Sequence, residues 1–597
     1  MKKSLLYLLM GIGLIYVLFN SRCASTQTGP SGGPRDTIPP VLLRVSPSNQ
    51  SLNFKANSFD LTFDEYVILK DVAKNVIVSP PSLVRPQIRT HAKGIRVRFN
   101  DTLKSNTTYT VNFGSAIEDI NENNPFPAYR YVFSTGSYID SMRIIGKVFD
   151  AYTLEPVENV SLMLYEEFKD STVFQRIPDA YSRTDTLGYF SVDYIKPSPY
   201  AVVAIEDKNS NMRYDPGSEK IAFLDSLVSP VVMKKPLKDT LLVDSEGDTL
   251  ALPQRSSEPR FYIYAEEGTR QTLSEYTLVA NREIRLRFAQ KNPQINSFHL
   301  DGIDSTGYVV ETSRFRDTVT YWITAETLPD TLRGAVNYMR TDSTGNLSPT
   351  ETSFRFPIKG KEESNSKKDK EDEEDKKESL NLNVTYNVPH ELMEHGVKFY
   401  FPTLPVLVDP AKLLLEKKNV DGNEFEKVDI QWRKDTTTNR TYYLWANWIA
   451  STDYRLTMQP GAFADIYGLE SDSTGYQFSA PNPDRYSSIT LNLSNIGEQC
   501  IVQLLSEKKD KVLRENVVAK DGKIEYNYLQ PEKYCIRFIE DLNQNGIWDP
   551  GKYLERRKPE RVVFFSLANG STLLELPLNS EIEQNIDVGE LFEKFYK

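Results

Sequence analysis

Hydrophobic and polar residues alternate along most of the chain, in short runs that end at clusters of Asn, Pro and Gly. The clearest runs are residues 58–69 (SFDLTFDEYVIL), 94–101 (GIRVRFND) and 107–115 (TTYTVNFGS). Alternation with a period of two is typical of a half-buried β-strand. A series of such strands at short spacing predicts antiparallel sandwiches. We therefore expect an all-β fold made of tandem β-sandwich domains.

Five β-rich blocks follow one another along the chain. Their expected boundaries are 39–137, 140–236, 255–358, 380–483 and 486–597. Between the third and fourth blocks, residues 360–379 contain the run KEESNSKKDKEDEEDKKES, which has no apolar residue. A run of this kind cannot bury surface, so it predicts a solvated charged linker.

Two stretches of the chain are near-copies of each other, IEDKNSNMRYDPG (205–217) and IEDLNQNGIWDPG (539–551). A proline, Pro197 or Pro531, precedes each copy at the same spacing. Residues 452–481 also align with residues 107–136. With a one-residue gap in that alignment, Asp465 lies opposite Asp119. Shared spacing over such lengths predicts a duplicated two-domain unit, with the block order A-B-C-linker-A′-B′.

The near-copies carry oxygen-bearing side chains at matching positions. These are Asp207, Asn209, Asn211 and Asp215 in the first copy, and Asp541, Asn543, Asn545 and Asp549 in the second. Calcium loops use Asp or Asn at such positions, but an EF-hand also needs Glu at position 12, where Ser218 and Lys552 stand. Glu219 and Glu555 lie nearby at different offsets. Two interpretations stay open, a calcium site or a metal-free structural loop.

The amino terminus has the layout of a secretory signal. Two lysines precede the apolar residues 5–19, and Cys23 follows a short polar stretch. The apolar run is shorter than the roughly 20 residues that a membrane-spanning helix needs. We expect residues 1–22 to be a signal peptide and Cys23 to be lipidated, although Asn20 and Arg22 depart from the usual pattern. An uncleaved signal anchor is the alternative. Residues 23–38, rich in Gly, Pro, Ser and Thr, are a predicted tether.

Several motifs carry the resemblance to known families. Residues 61–67 (LTFDEYV), TTYTVNFGSAIEDINENN and YVFSTG make the A blocks resemble the bacterial Ig-like domain of S-layer and other envelope proteins. DTLGYFSVDYIKPSPYAVVAIED makes the B blocks resemble the transthyretin-like, or carboxypeptidase-regulatory-like, sandwich. The whole chain is similar to multi-domain Ig-like lipoproteins of Gram-negative outer membranes. Such folds do not define one function.

Charge and candidate chemistry restrict the function classes. The net charge of −11 disfavours a nucleic-acid binder. In HELMEH (residues 390–395) the histidines are five residues apart, about 140° around a helix, which disfavours a zincin site. No catalytic group is assigned. The tryptophans Trp432, Trp445 and Trp448 could stack on sugars, but a place in the sandwich core is favoured. Cys500 and Cys535 are either a disulfide or two buried thiols.

These observations lead to a functional hypothesis. We expect a non-enzymatic, lipid-anchored protein of the outer membrane that serves as a structural or protein-interaction module. Its expected partners are the membrane itself, through Cys23, and envelope proteins such as a β-barrel assembly or secretion complex. The alternative is a surface adhesin or glycan-binding lipoprotein. The sequence leaves open whether the chain faces the periplasm or the cell surface.

Overall fold

The computed structural model describes residues 37–233, 258–268, 270–342, 345–358, 379–419 and 424–596. Strands account for nearly all the regular structure in these ranges, which confirms the all-β prediction. None of the helices in these ranges is long and apolar enough to cross a membrane. The signal peptide, Cys23, most of the tether and nearly all of the charged linker lie outside the described residues.

The first unit, A, pairs two sheets around an aromatic core. Its strand orders are β1-β2-β6-β5 and β4-β7-β9, and β3 pairs with β8. The alternating side chains Phe59, Leu61 and Phe63 of β2 are almost fully buried, as the period of two predicts. The elements are β1 (Leu42–Ser46), β2 (Ser58–Phe63), β3 (Val67–Leu69), α1 (Val72–Asn75), β4 (Ile77–Ser79), β5 (Gln87–His91), β6 (Gly94–Arg98), β7 (Thr108–Asn112), β8 (Ile117–Asp119) and β9 (Arg130–Ser134).

The second unit, B, has the strand order β12-β11-β14-β15-β17-β10-β13, and β16 pairs with β10. The sequence predicts that residues from 255 onward belong to the third block. However, β17 runs parallel to β10 and antiparallel to β15, so it belongs to unit B. The elements are β10 (Met142–Asp150), β11 (Ser161–Tyr165), α2 (Thr172–Gln175), β12 (Ala180–Arg183), β13 (Tyr189–Ile195), β14 (Ala201–Ile205), β15 (Lys220–Phe223), β16 (Val231–Val232) and β17 (Arg260–Ala265).

The third unit, C, is a sandwich of two sheets, β18-β19-β22-β21 and β20-β23-β24. Ile284, Tyr321 and Phe354 are among the buried side chains between the sheets. The elements are β18 (Leu273–Val279), β19 (Glu283–Phe288), β20 (Ile295–Leu300), a 3₁₀ turn (Ser305–Gly307), β21 (Tyr308–Thr312), β22 (Thr318–Ile323), β23 (Thr331–Thr341) and β24 (Leu347–Pro357).

The fourth unit, A′, repeats the strand orders of unit A. Sheet β25-β26-β31-β30 corresponds to β1-β2-β6-β5, and β28-β32-β34 corresponds to β4-β7-β9, with β29 added at its edge. The elements are β25 (Asn383–Thr385), α3 (Pro389–Glu394), β26 (Val397–Tyr400), β27 (Pro405–Val408), a 3₁₀ turn (Pro410–Lys412), β28 (Leu413–Lys418), β29 (Phe425–Val428), β30 (Gln431–Lys434), β31 (Thr441–Trp445), β32 (Asp453–Met458), β33 (Phe463–Asp465) and β34 (Thr474–Ser479).

The fifth unit, B′, repeats the strand pairing of unit B. Strand β35 pairs antiparallel with β38 and parallel with β42, as β10 does with β13 and β17. The elements are a 3₁₀ turn (Pro483–Arg485), β35 (Ser487–Ser494), β36 (Cys500–Ser506), β37 (Val512–Val518), β38 (Gly522–Leu529), β39 (Lys533–Glu540), a 3₁₀ turn (Tyr553–Glu555), β40 (Val562–Phe564), β41 (Leu573–Glu575), β42 (Glu581–Asp587) and α4 (Val588–Tyr596).

Individual residues agree with these strand orders. Asp119 pairs with Val67 across β3 and β8, and Asp465 pairs with Pro405 across β27 and β33. The hydroxyl of buried Tyr109 accepts a hydrogen bond from the backbone N–H five residues earlier, at 2.8 Å. Tyr454 in unit A′ does the same, also at 2.8 Å. The duplication predicted from sequence spacing is therefore present in the strand order and in local hydrogen bonding.

Candidate functional site: paired loops and an interdomain clasp

The two near-copies form loops of the same design, one in B and one in B′. In unit B, the Asp207 carboxylate accepts hydrogen bonds from the backbone N–H groups of Asn211 and Met212. The side-chain amides of Asn209 and Asn211 both donate to one oxygen of Asp215, at 2.6 and 2.8 Å. Short polar side chains satisfy their own backbone in this way in tight turns. The sequence-predicted residues of the first loop are thus brought together.

The loop of B′ repeats these hydrogen bonds. Asp541 accepts from the backbone N–H groups of Asn545 and Gly546. The side-chain amides of Asn543 and Asn545 both donate to one oxygen of Asp549. Gly546 has a positive φ of 75°, a conformation in which glycine is strongly favoured. Met212 holds the matching position of the first loop at φ 58°. The second loop is therefore the less strained copy.

A glutamate closes each loop, and sequence spacing identified only one of the two. Glu219 accepts from the backbone N–H groups of Lys208 and Asp215, both at 3.0 Å. In B′ the same role falls to Glu560, which accepts from Leu542 at 2.8 Å and Asp549 at 2.9 Å. Glu555, the residue suggested by proximity in sequence, instead pairs with the Lys552 ammonium group. Burial raises the pKa of both Glu219 and Glu560.

The oxygens that a calcium ion would need are engaged in hydrogen bonds within the loop. Within the described part of the chain, no group of three or more His, Cys, Asp or Glu side chains is arranged to hold a metal ion. The carboxylate and amide oxygens of Asp207, Asn209, Asn211 and Asp215 instead accept hydrogen bonds from the loop itself. The donor types are the hard oxygens that calcium prefers. Calcium binding stays a prediction.

The loop of B′ is longer than that of B, and its extra residues reach into unit B. In B′, Glu560 lies 18 positions after Leu542, whose backbone N–H donates to it. In B, Glu219 lies only 11 positions after the corresponding donor, Lys208. We call residues 552–558 the arm. Tyr553 of the arm is fully buried in the hydrophobic cluster of unit B, with its ring centroid 5.4 Å from that of Phe223. The arm therefore docks the fifth unit onto the second.

Three further features fit the arm to its receptor in unit B. The backbone N–H of Tyr553 donates to the Glu266 carboxylate. A Cβ atom at Gly551, just before the arm, would lie 2.5 Å from the Tyr264 ring, so any larger residue would clash. The Tyr553 hydroxyl is buried without a hydrogen-bond partner among the described residues. Packing of the ring, rather than the hydroxyl, is therefore what holds Tyr553.

The charged end of the arm adds polar contacts. The Arg556 guanidinium lies 4.6 Å from the Phe223 ring and donates to the backbone oxygen of Leu224 at 3.3 Å. Asp225 forms ion pairs with both Arg556 and Lys558. These side chains are partly exposed, so each pair contributes little by itself. Together they fix the direction in which the arm enters unit B.

A second contact joins B and B′ away from the arm. The Arg537 guanidinium donates to the Tyr152 hydroxyl at 2.8 Å and lies 4.1 Å from the Tyr152 ring centroid. At the carboxyl end, Tyr596 of α4 packs on Tyr262 with ring centroids 4.9 Å apart. Residues more than 300 positions apart in sequence thus form one continuous interface. We call this interface the clasp.

The HELMEH segment lies at the junction of A′ and B′. His390 is half-buried in α3, whereas His395 follows the helix and is exposed. Burial, the nearby Arg514 and His395 lower the pKa of His390 to about 4. Glu394 lies 4.0 Å from Arg514 in unit B′. The structure thus places this segment in an interdomain contact.

The tryptophans and cysteines mainly fill the cores. Trp448 is buried, and Trp432 packs in the same cluster with its ring stacked on Tyr442. Trp445 is half-buried beneath the Arg433 guanidinium, 4.5 Å away. The expectation that core packing outweighs sugar stacking is therefore confirmed for the first two. Cys500 and Cys535 are free, buried thiols on adjacent strands, and burial raises the pKa of both.

A comparison with known protein families supports the architecture of unit A. Residues 36–135 match the model of the bacterial Ig-like domain family. A search of curated proteins gave no match. Unit A is therefore similar to a bacterial Ig-like domain, as its motifs predicted.

Solved structures that resemble the chain are remote. The major pilin subunit BcpA of Bacillus cereus is 9% identical, with 74% of this chain and 99% of the pilin covered, at a TM-score of 0.12. The S-layer protein rSbsC is 12% identical, with 90% of this chain and 59% of the S-layer protein covered, at a TM-score of 0.12. Likeness at this level carries neither a structural nor a functional argument.

Proposed function

We propose that the chain is a non-enzymatic, lipid-anchored scaffold of the cell envelope that serves as a structural or protein-interaction module. Cys23 would attach it to the outer membrane. Its partners would be envelope proteins, and the most specific version of the proposal is an accessory subunit of a β-barrel assembly or secretion complex.

The observation that carries the proposal is the clasp. Tandem sandwiches joined by short connections have small interfaces and move relative to one another by default. Here a fully buried tyrosine and a surrounding charged rim join the second unit to the fifth. Such a closure supports a scaffold that presents several units in a fixed arrangement. It does not resemble a site that handles a substrate, since the clasp is filled by the chain's own side chains.

Exposed sheet edges supply surfaces for partners. Strand β21 lies at the edge of its sheet in unit C. Val309 and Val310 on this strand are 43% and 51% exposed, and Phe315 beyond it is 55% exposed. An edge strand with exposed apolar side chains is a natural place for another chain to add a strand. This surface favours a protein-interaction role.

Co-purification tests the proposal. A tagged chain extracted from membranes in mild detergent is expected to bring down a β-barrel protein. Tyr553→Ala, which would open the clasp, should reduce that recovery, whereas Tyr553→Phe should not. Recovery of the native chain only as a free monomer would contradict the proposal. Protease accessibility on intact cells would show which membrane face carries the chain.

Calcium binding by the paired loops is a second proposal, supported by the Asp and Asn oxygens at matching positions. Calorimetric titration of the full chain with Ca²⁺ tests it. Saturable heat whose stoichiometry falls by one site in the double variant Asp541→Asn/Asp549→Asn would support a metal in the B′ loop. Heat of dilution alone would show that the hydrogen bonds described above are sufficient to hold the loop.

A further inference from the structure

A cleft between units A and B gathers positive charge in a chain whose net charge is −11. Its volume is about 410 Å³, within the range of small-molecule sites. Five cationic side chains line it, against two carboxylates. The cations are Arg130, Arg143, Lys147, Arg183 and Arg260. A local excess of one sign inside a concave wall focuses the field on an ion of the opposite sign.

Strand alternation builds the floor of the cleft. Ile144 and Val148 of β10 point into the core of unit B, so Arg143, Ile145 and Lys147 lie on the opposite face. Lys147 lies four positions after Arg143 along the extended strand, which corresponds to about 13 Å. The floor is therefore long enough for a molecule that bears charges at both ends.

The pairing of β10 with β17 places two cations side by side. Lys147 is the register partner of Arg260 on the parallel strand. Like charges opposite each other on adjacent strands destabilise a sheet. On its other side Lys147 pairs with Tyr189, and its ammonium group lies 3.9 Å from that ring centroid. The tyrosine holds the lysine over the cleft without neutralising it.

Most of these cations have no carboxylate partner. In the described ranges, no carboxylate oxygen lies within 4.0 Å of a charged nitrogen of Arg143, Lys147, Arg183 or Arg260, whereas Arg130 pairs with Asp193. Nε of Arg143 is buried and lacks a hydrogen-bond partner within the same ranges. A buried donor left unpaired costs free energy.

The lining carboxylates do not cancel this charge. Asp185 accepts hydrogen bonds from the backbone N–H groups of Leu187 and Tyr189, both at 2.9 Å, and so serves its own turn. Glu258 is the second lining carboxylate and precedes Pro259 and Arg260 in the chain. The side chains of Ile145 and Phe190 give the cleft an apolar part as well.

We propose that this cleft binds a small organic anion carrying two or more carboxylate or phosphate groups, with Arg143 and Lys147 as its principal contacts. Guanidinium groups donate paired hydrogen bonds to both carboxylate and phosphate groups. The expected ligand therefore carries a planar or tetrahedral oxyanion at each end of an apolar body. The cleft adjoins the clasp at one point, because the Arg260 guanidinium also donates to the backbone oxygen of Phe595 at 2.9 Å.

Calorimetry of the full chain at low ionic strength tests the proposal, with citrate as the carboxylate probe and inorganic pyrophosphate as the phosphate probe. Saturable binding of either is expected, and comparison of the two shows which oxyanion is preferred. Arg143→Gln/Lys147→Gln should weaken binding at least about tenfold, since each charge-assisted hydrogen bond contributes that much or more. The matched control Arg98→Gln/Lys55→Gln changes exposed cations elsewhere in unit A and should bind as the native chain does.

Thermal melting separates binding from folding. Bound anion should raise the melting temperature of the native chain. Lys147→Gln alone should abolish most of that rise, because the chain keeps its fold but loses a contact. Binding of neither probe, or an undiminished anion-dependent rise in Lys147→Gln, would overturn the proposal.

Discussion

Glu219 and Glu560 are equivalent residues that close their loops from different positions in the sequence, 11 residues after Lys208 and 18 residues after Leu542. Each accepts two backbone hydrogen bonds, one from the residue after the first aspartate and one from the last aspartate of its loop. The difference in spacing is the arm. Duplication therefore conserved the closing hydrogen bonds while one copy acquired residues that dock onto the other.

Glu560→Gln should destabilise unit B′. A carboxamide offers one acceptor oxygen in place of two, so one of the N–H groups of Leu542 and Asp549 loses its partner. We expect a loss of about 1–3 kcal/mol in the free energy of unfolding, the usual cost of an unsatisfied buried donor. Calorimetric melting of the full chain measures it. Glu555→Gln is the matched control and should leave the transition unchanged; equal effects would show that Glu560 is not the closing residue.

Tyr553→Ala should open the clasp. Removing a fully buried aromatic side chain costs about 3–5 kcal/mol in a packed core. The expected results are a larger radius of gyration in small-angle X-ray scattering and faster proteolysis within residues 552–558. Tyr553→Phe should leave both unchanged or improve stability, because the hydroxyl it removes is buried without a partner. A phenylalanine variant as open as the alanine variant would contradict the packing argument.

Gly551→Ala should have a similar effect without touching the arm's own side chains. Its new Cβ would meet the Tyr264 ring at 2.5 Å. The scattering profile should move toward that of Tyr553→Ala. Gly570→Ala is a control for a glycine substitution without a steric clash, because no non-neighbouring atom of the described residues lies within 4 Å of the added Cβ. Its φ of 83° adds backbone strain to that variant. The Cβ added at Gly551 would also lie 2.6 Å from the backbone oxygen of Arg557 within the arm. Closure that persists in Gly551→Ala would therefore show that both Tyr264 and this backbone can move aside.

Acid should weaken the junction of A′ and B′ through His390. Its pKa in the folded chain, about 4, lies below the ordinary value of 6.5. Between these values the unfolded chain binds the extra proton and the folded chain does not, so stability falls as pH drops from 6.5 toward 4. Melting temperatures over this window should fall less steeply in His390→Gln. His299→Gln, at an exposed position in unit C, should keep the native slope.

Lipidation predicts a simple labelling result. Cys23→Ser should abolish incorporation of a lipid label and release the chain from membranes. Cys500→Ser should retain the label, because that thiol is buried in unit B′. Label retained in Cys23→Ser would refute the anchor.

Sequence patterns were sufficient for the parts of the fold that depend on local spacing. The period of two in the hydrophobic pattern predicts the alternating burial in β2 and β10. Sequence spacing predicts the paired loops and the matching positions of Asp119 and Asp465. Strand β17 was assigned to the wrong neighbour because a strand's own residues do not specify which sheet it joins. Its counterpart is β42, which also runs parallel to the first strand of its unit.

The clasp was beyond sequence reasoning for a different reason. Tyr553 is followed by the polar stretch LERRKPE (residues 554–560). No hydrophobic periodicity around Tyr553 indicates that its side chain is buried. Its environment is supplied by Phe223, Tyr214 and Tyr264, residues of another unit. Glu560 was missed because the arm shifts it away from the expected offset. Alignment of the two loops by their prolines and aspartates would have exposed the extra residues, although not their destination.

The arm occurs in B′ and has no counterpart in B, so the contact it makes is directional. A directional contact between copies of a chain would propagate from one molecule to the next as an open filament. Here the receptor lies on the same polypeptide, and the intervening units act as a tether that raises the local concentration of receptor around the arm. Closure within one molecule therefore competes with exchange between neighbours, and the length and stiffness of that tether determine whether the protein is a closed monomer or the repeating unit of a fibre.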